Sequence, residues 1–397
     1  MPELVARPVR LRHPAPFPSA FQHVQVAMPA APGVDAHAVV VDLADEVDPA
    51  LVEAAVRRHW WSADHGQLAL RRATARELLA EGAPVLRTSA LGWVDPAERS
   101  SPGFPLASDA DDVPRGWVPA RRRDPSGSAE GWMPYTAAVA RPADARPDEP
   151  LTHPPLLGGF GAGTDSGAAF DAAWRATVVD DALWCWWAGL VPAASVDPTP
   201  EVRRLWGDAD LDLTLRRLDH GSLAPVTLAV VDDGVASTVG GGFGQDAVAQ
   251  RTAIARALWQ LAIARRLDDP AGALTAPGVV PHRADRRYAP DSVIDRRRLL
   301  DPLAHVQLAL DPRVRTRVRR HLDEVVAPAG AGVERSAETW TVSLAPGGDV
   351  VRVLSPAAVP LPLGAFRLDP ALVARVARRA GRTHAAAAED LPPFPGW

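Results

Sequence analysis

The stretch that decides the fold is GAGTDSGAAFDAAWRATVVDDALWCWW, which runs from Gly161 to Trp187. It opens on two glycines separated by one residue, and its apolar residues recur with helical spacing from residue 164 to residue 188. It ends in paired tryptophans. A second glycine-rich segment followed by an alanine-rich helix occurs at residue 242. The pattern therefore predicts a long alanine-rich helix entered from a glycine-rich turn, at two places in the chain.

Elsewhere, short strands and amphipathic helices alternate loosely along the chain. Strands are predicted at residues 34–43, 225–232, 339–344 and 349–355. Helices are predicted at residues 49–61, 71–81, 246–267, 302–326 and 370–380. Loops and edge strands are predicted over residues 95–155, and a turn at 240–244. This alternation predicts an α+β or α/β fold.

Composition and charge limit the function classes. The chain has 397 residues and a net charge of −5, which does not suggest a nucleic-acid or anionic-membrane partner. No apolar run is long enough to span a bilayer, and residues 1–22 lack the layout of a signal peptide, so a cytoplasmic protein is expected. The single cysteine, Cys185, excludes an internal disulfide and a multi-cysteine zinc site; within its apolar surroundings it is expected to be a core residue.

All 43 basic residues are arginine, because the sequence contains no lysine. A P-loop lysine and a Schiff-base lysine are therefore excluded. Without a Walker lysine, the GGGFG segment at residues 240–244 is better explained as a strand-to-helix turn than as a phosphate-binding loop. The eleven histidines show no metal-ligand spacing, and His220, His282, His305 and His321 are expected to be structural.

The stretch at 161–187 resembles the central motif of the YcaO family, which runs roughly A-G-x5-A-x6-E-x-x-E-R-D-A-x3-W-W. Further segments resemble the same family in the same order, at residues 53–57, 116–139, 225–233, 256–265, 301–312, 350–364 and the proline-rich tail at 391–397. The resemblance implies a YcaO-like α+β fold over residues 35–397, with mixed sheets and alanine-rich helices around a nucleotide-type cleft. Residues 1–34 are then an N-terminal extension.

The resemblance also implies a chemistry, and the residues that carry it can be checked. Family members use ATP to activate a peptide-bond oxygen, and three helices bearing Glu and Gln surround the magnesium ions and the triphosphate. Mg²⁺ requires hard oxygen ligands, so these side chains are essential to that site. The corresponding positions in this chain are Glu53, Val56, Arg57, Ala176, Val179, Asp180, Gln260, Ile263 and Arg265.

Most of the metal-binding side chains are absent from these positions. Val56, Val179 and Ile263 cannot bind a cation, and Gln260 offers only an amide. A relocated site is the alternative: Asp171, Asp180 and Asp181 lie on one predicted helix and could hold a metal. Phosphates could then be gripped by a group of arginines, Arg283, Arg286, Arg287, Arg296, Arg297 and Arg298. The simpler interpretation of both groups is surface charge.

Two functions follow as hypotheses. The first is a catalytically degenerate YcaO-like subunit in the biosynthesis of a ribosomally made, post-translationally modified peptide (RiPP), with no metal or cofactor expected. Its partners would be a precursor peptide and an active YcaO homologue or an E1-like leader-binding protein, in a homo- or heterodimer. The second is an ATP-dependent azoline-forming cyclodehydratase with a rearranged Mg–ATP site. An enzyme that uses the cleft for ATP-independent peptide chemistry is a third possibility.

The proline-rich tail at residues 391–397 helps to choose between these hypotheses. In azoline-forming relatives a proline-rich end reaches the active site, and Pro392, Pro393 and Pro395 provide such a segment here. Gly396 and Trp397 extend beyond the last proline and would displace the terminal carboxylate, which argues against ordinary catalysis. The alternative is packing of an extended polyproline segment. Only about 35 residues precede the resemblance, so leader recognition is expected to be delegated to another protein.

Overall fold

Three antiparallel sheets and three long helices build the core. The computed structural model describes residues 8–28, 36–63, 68–140, 148–154, 158–220, 224–268, 310–324, 337–361, 366–381 and 394. The strands are β1 (Pro8–Leu11), β2 (Phe21–Met28), β3 (Ala36–Leu43), β4 (Arg71–Ala73), β5 (Arg115–Asp124), β6 (Gly127–Pro134), β7 (Phe160–Ala162), β8 (Ala193–Ser195), β9 (Asp212–Leu218), β10 (Val226–Asp232), β11 (Ser237–Phe243), β12 (Thr339–Ser343) and β13 (Val350–Leu354).

The helices flank these strands. They are α1 (Pro49–Ser62), α2 (Ala75–Ala80), α3 (Pro96–Arg99), α4 (Tyr135–Ala138), α5 (Ser166–Trp187), α6 (Pro200–Trp206), α7 (Ala247–Asp268), α8 (Pro312–Glu324) and α9 (Pro370–Arg379). No helix in the described part of the chain combines the length and the apolar character that a membrane crossing requires.

The sheets follow a simple antiparallel pairing. The first sheet has the order β1-β2-β3, and β2 pairs with β3 along all eight residues. The second has the order β4-β5-β12-β13-β7, with β6 paired to β5, and the third has the order β11-β10-β9-β8. Helices interleaved with antiparallel sheets confirm the predicted α+β class.

Each long helix lies between two sheets. Helix α1 contacts β2 and β3 of the first sheet and β7 and β13 of the second. Helix α5 contacts β7 and β13 of the second sheet and β10 and β11 of the third, whereas α7 contacts the third and the first. This arrangement brings the three helices that carry the family-like motifs into the centre of the molecule.

Helix α5 forms as the sequence predicts. The Asp165 carboxylate caps its N-terminus by accepting hydrogen bonds from the backbone amides of Gly167 and Ala168, at 2.9 Å each. From Asp181 to Trp187 every residue is buried. A helix that is apolar on all sides is stable only inside a protein, which explains why α5 has sheets on both sides.

Two predicted elements are wrong in detail. The helix predicted at 71–81 begins only at Ala75, because Thr74 and Glu77 form a capping box and residues 71–73 pair with β5. The region 95–155 was predicted to hold loops and edge strands, but β5 is a ten-residue interior strand paired with β4, β6 and β12. The run of consecutive charged residues at 121–124 obscured its position in the sheet.

The predicted turn at 240–244 is also wrong, because residues 237–243 form strand β11. Its glycines lie between two helices. A Cβ atom at Gly240 or Gly242 would overlap a backbone carbonyl of α7, and one at Gly241 would lie 2.5 Å from Cγ1 of Val179 on α5. The glycines therefore serve close helix–strand packing rather than a turn.

This packing makes Gly242 sensitive to a single methyl group. We expect Gly242→Ala to lower the free energy of unfolding by about 3 kcal/mol, since the new Cβ meets the carbonyl of Ala249. Urea denaturation followed by tryptophan fluorescence measures the change. Gly207→Ala is the control, because a Cβ there has no neighbour closer than 3.4 Å. Equal stability of the two variants would contradict the packing role.

Candidate functional site

The nine family-like positions lie on the three central helices. Helix α1 carries Glu53, Val56 and Arg57. Helix α5 carries Ala176, Val179 and Asp180, and helix α7 carries Gln260, Ile263 and Arg265. The tail prolines Pro392, Pro393 and Pro395 lie outside the described residues, as do His282, His305 and the arginines between 283 and 298. The described part of the candidate site therefore consists of the three helices and the residues that contact them.

On α1, Arg57 ties the helix to its neighbours. One Nη atom donates a hydrogen bond to the carbonyl of Gly163 and lies 3.4 Å from Oδ2 of Asp349, and the other lies 3.7 Å from Oε1 of Glu53. The Glu53 side chain is 71% exposed. An exposed i,i+4 pair of this kind contributes little stability. Arg57 thus acts as a clamp between α1, the entry to α5 and the β12–β13 hairpin.

Val56 faces a different environment. It is buried in a cluster with Val24, Val26 and Val40 of the first sheet. A carboxylate at this position would enter aliphatic surroundings without a partner, which is strongly unfavourable. The second acidic position of the α1 motif is therefore part of the core in this chain.

On α5, the three positions differ sharply. Ala176 is partly exposed, and Val179 is 2% exposed against Gly241 of β11. Asp180 lies beside Gly158, where a Cβ would overlap its Oδ2. Desolvation raises the pKa of Asp180 to about 7, with the charge of Arg256 opposing this effect and that of Asp181 adding to it.

On α7, Gln260 and Ile263 are buried, at 3% and 6% exposure. Arg265 contacts residues outside the motif positions. Its Nε lies 2.7 Å from Oδ2 of Asp233, and its guanidinium lies 5.6 Å from the ring centroid of Phe17. The retained arginine therefore stabilises the β10–β11 turn, because it already has a carboxylate partner.

The relocated metal site is not supported for Asp181. Its Oδ2 accepts hydrogen bonds from Nε2 of His220 and from Nη2 of Arg379, both at 2.6 Å, and its Oδ1 accepts one from the amide of Val359 at 2.8 Å. Asp180 points elsewhere, toward Gly158. Neighbouring aspartates on a helix face directions about 100° apart, so the two carboxylates do not converge.

The surroundings of Asp181 form a closed charge network. Asp181, His220 and Cys185 are fully buried, and one ligand atom from each lies within 4.8 Å of the others. The Arg379 guanidinium already occupies the position of a cation, since it contacts Asp181 and lies 3.5 Å from the Cys185 sulfur. Burial raises the pKa of the Cys185 thiol. The cluster therefore joins α5 to α9 rather than offering a metal site.

Sequence reasoning missed two arginines in this region, Arg58 and Arg256. Arg256 lies one turn before Gln260 and donates from Nη1 to the carbonyl of Gly241 at 2.9 Å. Arg58 follows Arg57 on α1, and its side chain is exposed. Desolvation lowers the pKa of Arg256, and the charge of Asp180 opposes this effect. No motif marks either residue, so only their spatial neighbours identify them.

At the far end of α5, Phe394 is the described residue of the tail. It is 3% exposed and meets the Trp187 ring edge-on at 5.5 Å between centroids. His321 of α8 accompanies it, with Nε2 lying 2.6 Å from the carbonyl oxygen of Trp187. The seven steps along the helix from Asp180 to Trp187 span about 10 Å. Phe394 is thus anchored about two turns away from Asp180.

Comparison with solved structures identifies the fold. The chain matches a heterocyclase in complex with substrate and cofactor (TM-score 0.63, 15% identity, 98% of this chain and 54% of that chain). It matches YcaO from Methanopyrus kandleri bound with AMPPCP and Mg²⁺ (TM-score 0.50, 14% identity, 89% and 85%). It also matches the E. coli microcin synthetase McbBCD complex, without and with pro-MccB17 (TM-score 0.52, 10% identity, 98% and 96%).

These matches define an α+β protein with a YcaO-like fold, and the resemblance found in the sequence is confirmed at that level. No model of a known family and no curated protein matches the chain. The chain spans about half the length of the heterocyclase, at 54%. At 10–15% identity, the likeness concerns the fold and not the chemistry.

Proposed function

We propose that this chain is a catalytically degenerate YcaO-like protein of RiPP biosynthesis. It binds or positions a precursor peptide, or it supports an active YcaO homologue or an E1-like leader-binding partner, as a homo- or heterodimer. In this proposal the YcaO-like domain covers residues 35–397, and the extension 1–34 adds β1 and β2 to its first sheet.

The observation that carries the proposal is the packing at two motif positions. Val56 and Val179 are buried against the first and third sheets, so the space that acidic side chains would need is taken by the core. Octahedral Mg²⁺ coordination requires several converging oxygens. Glu53 is the one carboxylate left on α1 at these positions, and it points to solvent beside Arg57.

Similar folds support a role inside an assembly. McbBCD is a complex, and it has been solved with pro-MccB17 bound. A chain with the same fold and without the acidic motif side chains is suited to holding a peptide or a partner, because its central helices are held by packing against the sheets. The alternative, a cyclodehydratase with a rearranged site, draws support from Asp180 and Arg256, whose charges act on each other.

ATP binding and turnover separate the two functions. We expect isothermal titration of the purified chain to show no magnesium-dependent component of ATP binding, and Glu53→Ala to change nothing. The physical reason is the missing set of oxygen ligands. Magnesium-dependent binding in the micromolar range that Glu53→Ala abolishes would overturn the proposal and favour the rearranged enzyme.

Reconstitution tests the role in the assembly. The chain is combined with a YcaO homologue, an E1-like protein and a precursor peptide encoded by neighbouring genes, and ring formation is followed by mass spectrometry as the loss of one water per azoline. We expect rings to form only when this chain is present, and equally well with Glu53→Ala. Ring formation by the chain without the YcaO homologue would contradict the degenerate role.

A further inference from the structure

A pocket of about 450 Å³ lies between helix α8 and strands β9 and β10 of the third sheet, and we call it the α8 pocket. The charged side chains that line it are Asp212, Arg216, Asp232, Arg319 and Asp323. Its volume is in the range of small-ligand sites. None of its lining residues belongs to α1, α5 or α7, so the pocket is separate from the motif positions.

Strand geometry places two carboxylates side by side in this pocket. Asp212 of β9 is paired in register with Asp232 of β10, and the Cβ atoms of directly opposite residues lie about 5 Å apart. Two like charges at this spacing repel each other. Arg319 of α8 neutralises Asp232: its Nε lies 3.0 Å from Oδ2, and its Nη2 donates to Oδ1. Asp212 is left without such a contact.

Three charged groups of the α8 pocket are not paired with one another. Asp212 and Asp323 are exposed, and neither makes a hydrogen bond or an ion pair with another described residue. Arg216 donates from Nη2 to the carbonyl of Leu322 at 3.4 Å, whereas its Nε is buried and has no acceptor among the described residues. The pocket thus has one more carboxylate than guanidinium groups, together with a buried N–H group that lacks an acceptor.

We infer that the α8 pocket binds a basic amino-acid residue, arginine or lysine, as the free amino acid or within a peptide. The cationic head of such a residue can pair with Asp212 and Asp323, and its carboxylate or carbonyl oxygen can accept from Arg216. The aliphatic part of its side chain can pack on Val230 and Leu322, which also line the pocket.

An inorganic cation fits the α8 pocket less well. A divalent metal ion requires several converging oxygen ligands. In the described part of the chain, three ligand atoms come within 4.8 Å of one another at Asp181, Cys185 and His220, and not among the carboxylates of this pocket. An organic cation does not need converging ligands, because each of its N–H groups can bind a different oxygen.

Calorimetric titration of the full chain tests this inference with the N-acetyl amides of arginine and lysine. The matched neutral ligand is the N-acetyl amide of citrulline, which keeps the shape of arginine and lacks its charge. We expect saturable binding of both basic compounds, and binding of the citrulline compound that is at least about tenfold weaker than that of the arginine compound, the loss typical of one charge-assisted contact.

The double variant Asp212→Asn/Asp323→Asn is expected to weaken binding of the arginine compound at least about tenfold. Both side chains are exposed and hold no other described residue, so the fold is expected to be unchanged. Asp112→Asn/Asp148→Asn is the matched control, because it removes the same charge from two exposed aspartates outside the pocket.

Free L-arginine distinguishes the two sources of the ligand. Tighter binding of free L-arginine than of the capped compound identifies the free amino acid, and equal or weaker binding identifies a residue within a peptide. Absence of saturable binding, equal affinity for arginine and citrulline compounds, or equal affinity of the two double variants would overturn the inference. The proposed function would stand in each case, because its test with Mg–ATP and Glu53→Ala concerns the motif helices.

Discussion

Replacing Asp181 by alanine is expected to destabilise the protein by about 3 to 5 kcal/mol, the cost of breaking a buried charge pair by removing one partner. Asp181 is fully buried and accepts hydrogen bonds from His220, Arg379 and the amide of Val359. Without it, an imidazole, a guanidinium and an amide remain in the core with one partner fewer each. The same change separates α9 from α5, because Arg379 anchors that contact.

Urea denaturation of Asp181→Ala measures this loss, with Asp180→Asn as the matched control. Asp180 is adjacent on the same helix, and its carboxylate makes no hydrogen bond within the described residues, so we expect a change of less than about 1 kcal/mol for that variant. A loss of stability for Asp181→Ala that is no larger than the loss for Asp180→Asn would contradict the stabilising role of the charge network.

The pH dependence provides a second readout for Asp181. Burial alone would raise its pKa, but the charge of Arg379 and the hydrogen bond from His220 hold the pKa below the usual value. The unfolded chain therefore takes up a proton first as the pH falls. The stabilisation is complete above about pH 4, the ordinary aspartate pKa, and is lost below it. The difference in the free energy of unfolding between the wild type and Asp181→Ala is therefore expected to become smaller as the pH falls below about 4.

Restoring the family's glutamate at position 179 is expected to lower stability by at least about 3 kcal/mol and to create no Mg–ATP site. Val179 is 2% exposed, and its Cγ1 is close to the Cα of Gly241 in β11. The longer side chain has no room there, and its charge has no partner. Urea denaturation measures the loss, and calorimetric titration with Mg–ATP measures binding.

Ala176→Glu is the matched control for Val179→Glu. Position 176 is partly exposed on the same helix, so we expect a cost of less than about 1 kcal/mol there. Val179→Glu with wild-type stability and new Mg–ATP binding would mean that the fold still holds the family's site. The proposal of a degenerate role would then fail.

Local patterns predicted the three long helices well, because a helix is specified by residues near one another in the chain. Asp48 and Asp165 cap α1 and α5, and the structure places these helices within one or two residues of the predicted bounds. Cys185 is a buried core residue, as its apolar neighbours indicated. The interleaving of helices with sheets confirmed the α+β class.

Features that depend on distant neighbours were not predictable. The glycines of β11 are predicted from the sequence to form a turn, since nothing near them in the chain shows that α5 and α7 pack against both faces of the strand. Asp180 and Asp181 are identical in type and adjacent in sequence. One lies beside Gly158 and the other is bound by His220, Arg379 and Val359.

The sequence by itself determined the long helices α1, α5 and α7, the YcaO-like resemblance and the absence of acidic residues at most motif positions, because residue type and spacing are properties of the chain. Only the tertiary structure decided what replaced the lost residues. Val56 and Val179 are part of the core, and Arg57 and Arg265 form ion pairs with Asp349 and Asp233. Burial and charge pairing depend on contacts between helices far apart in the chain, and folding alone creates those contacts.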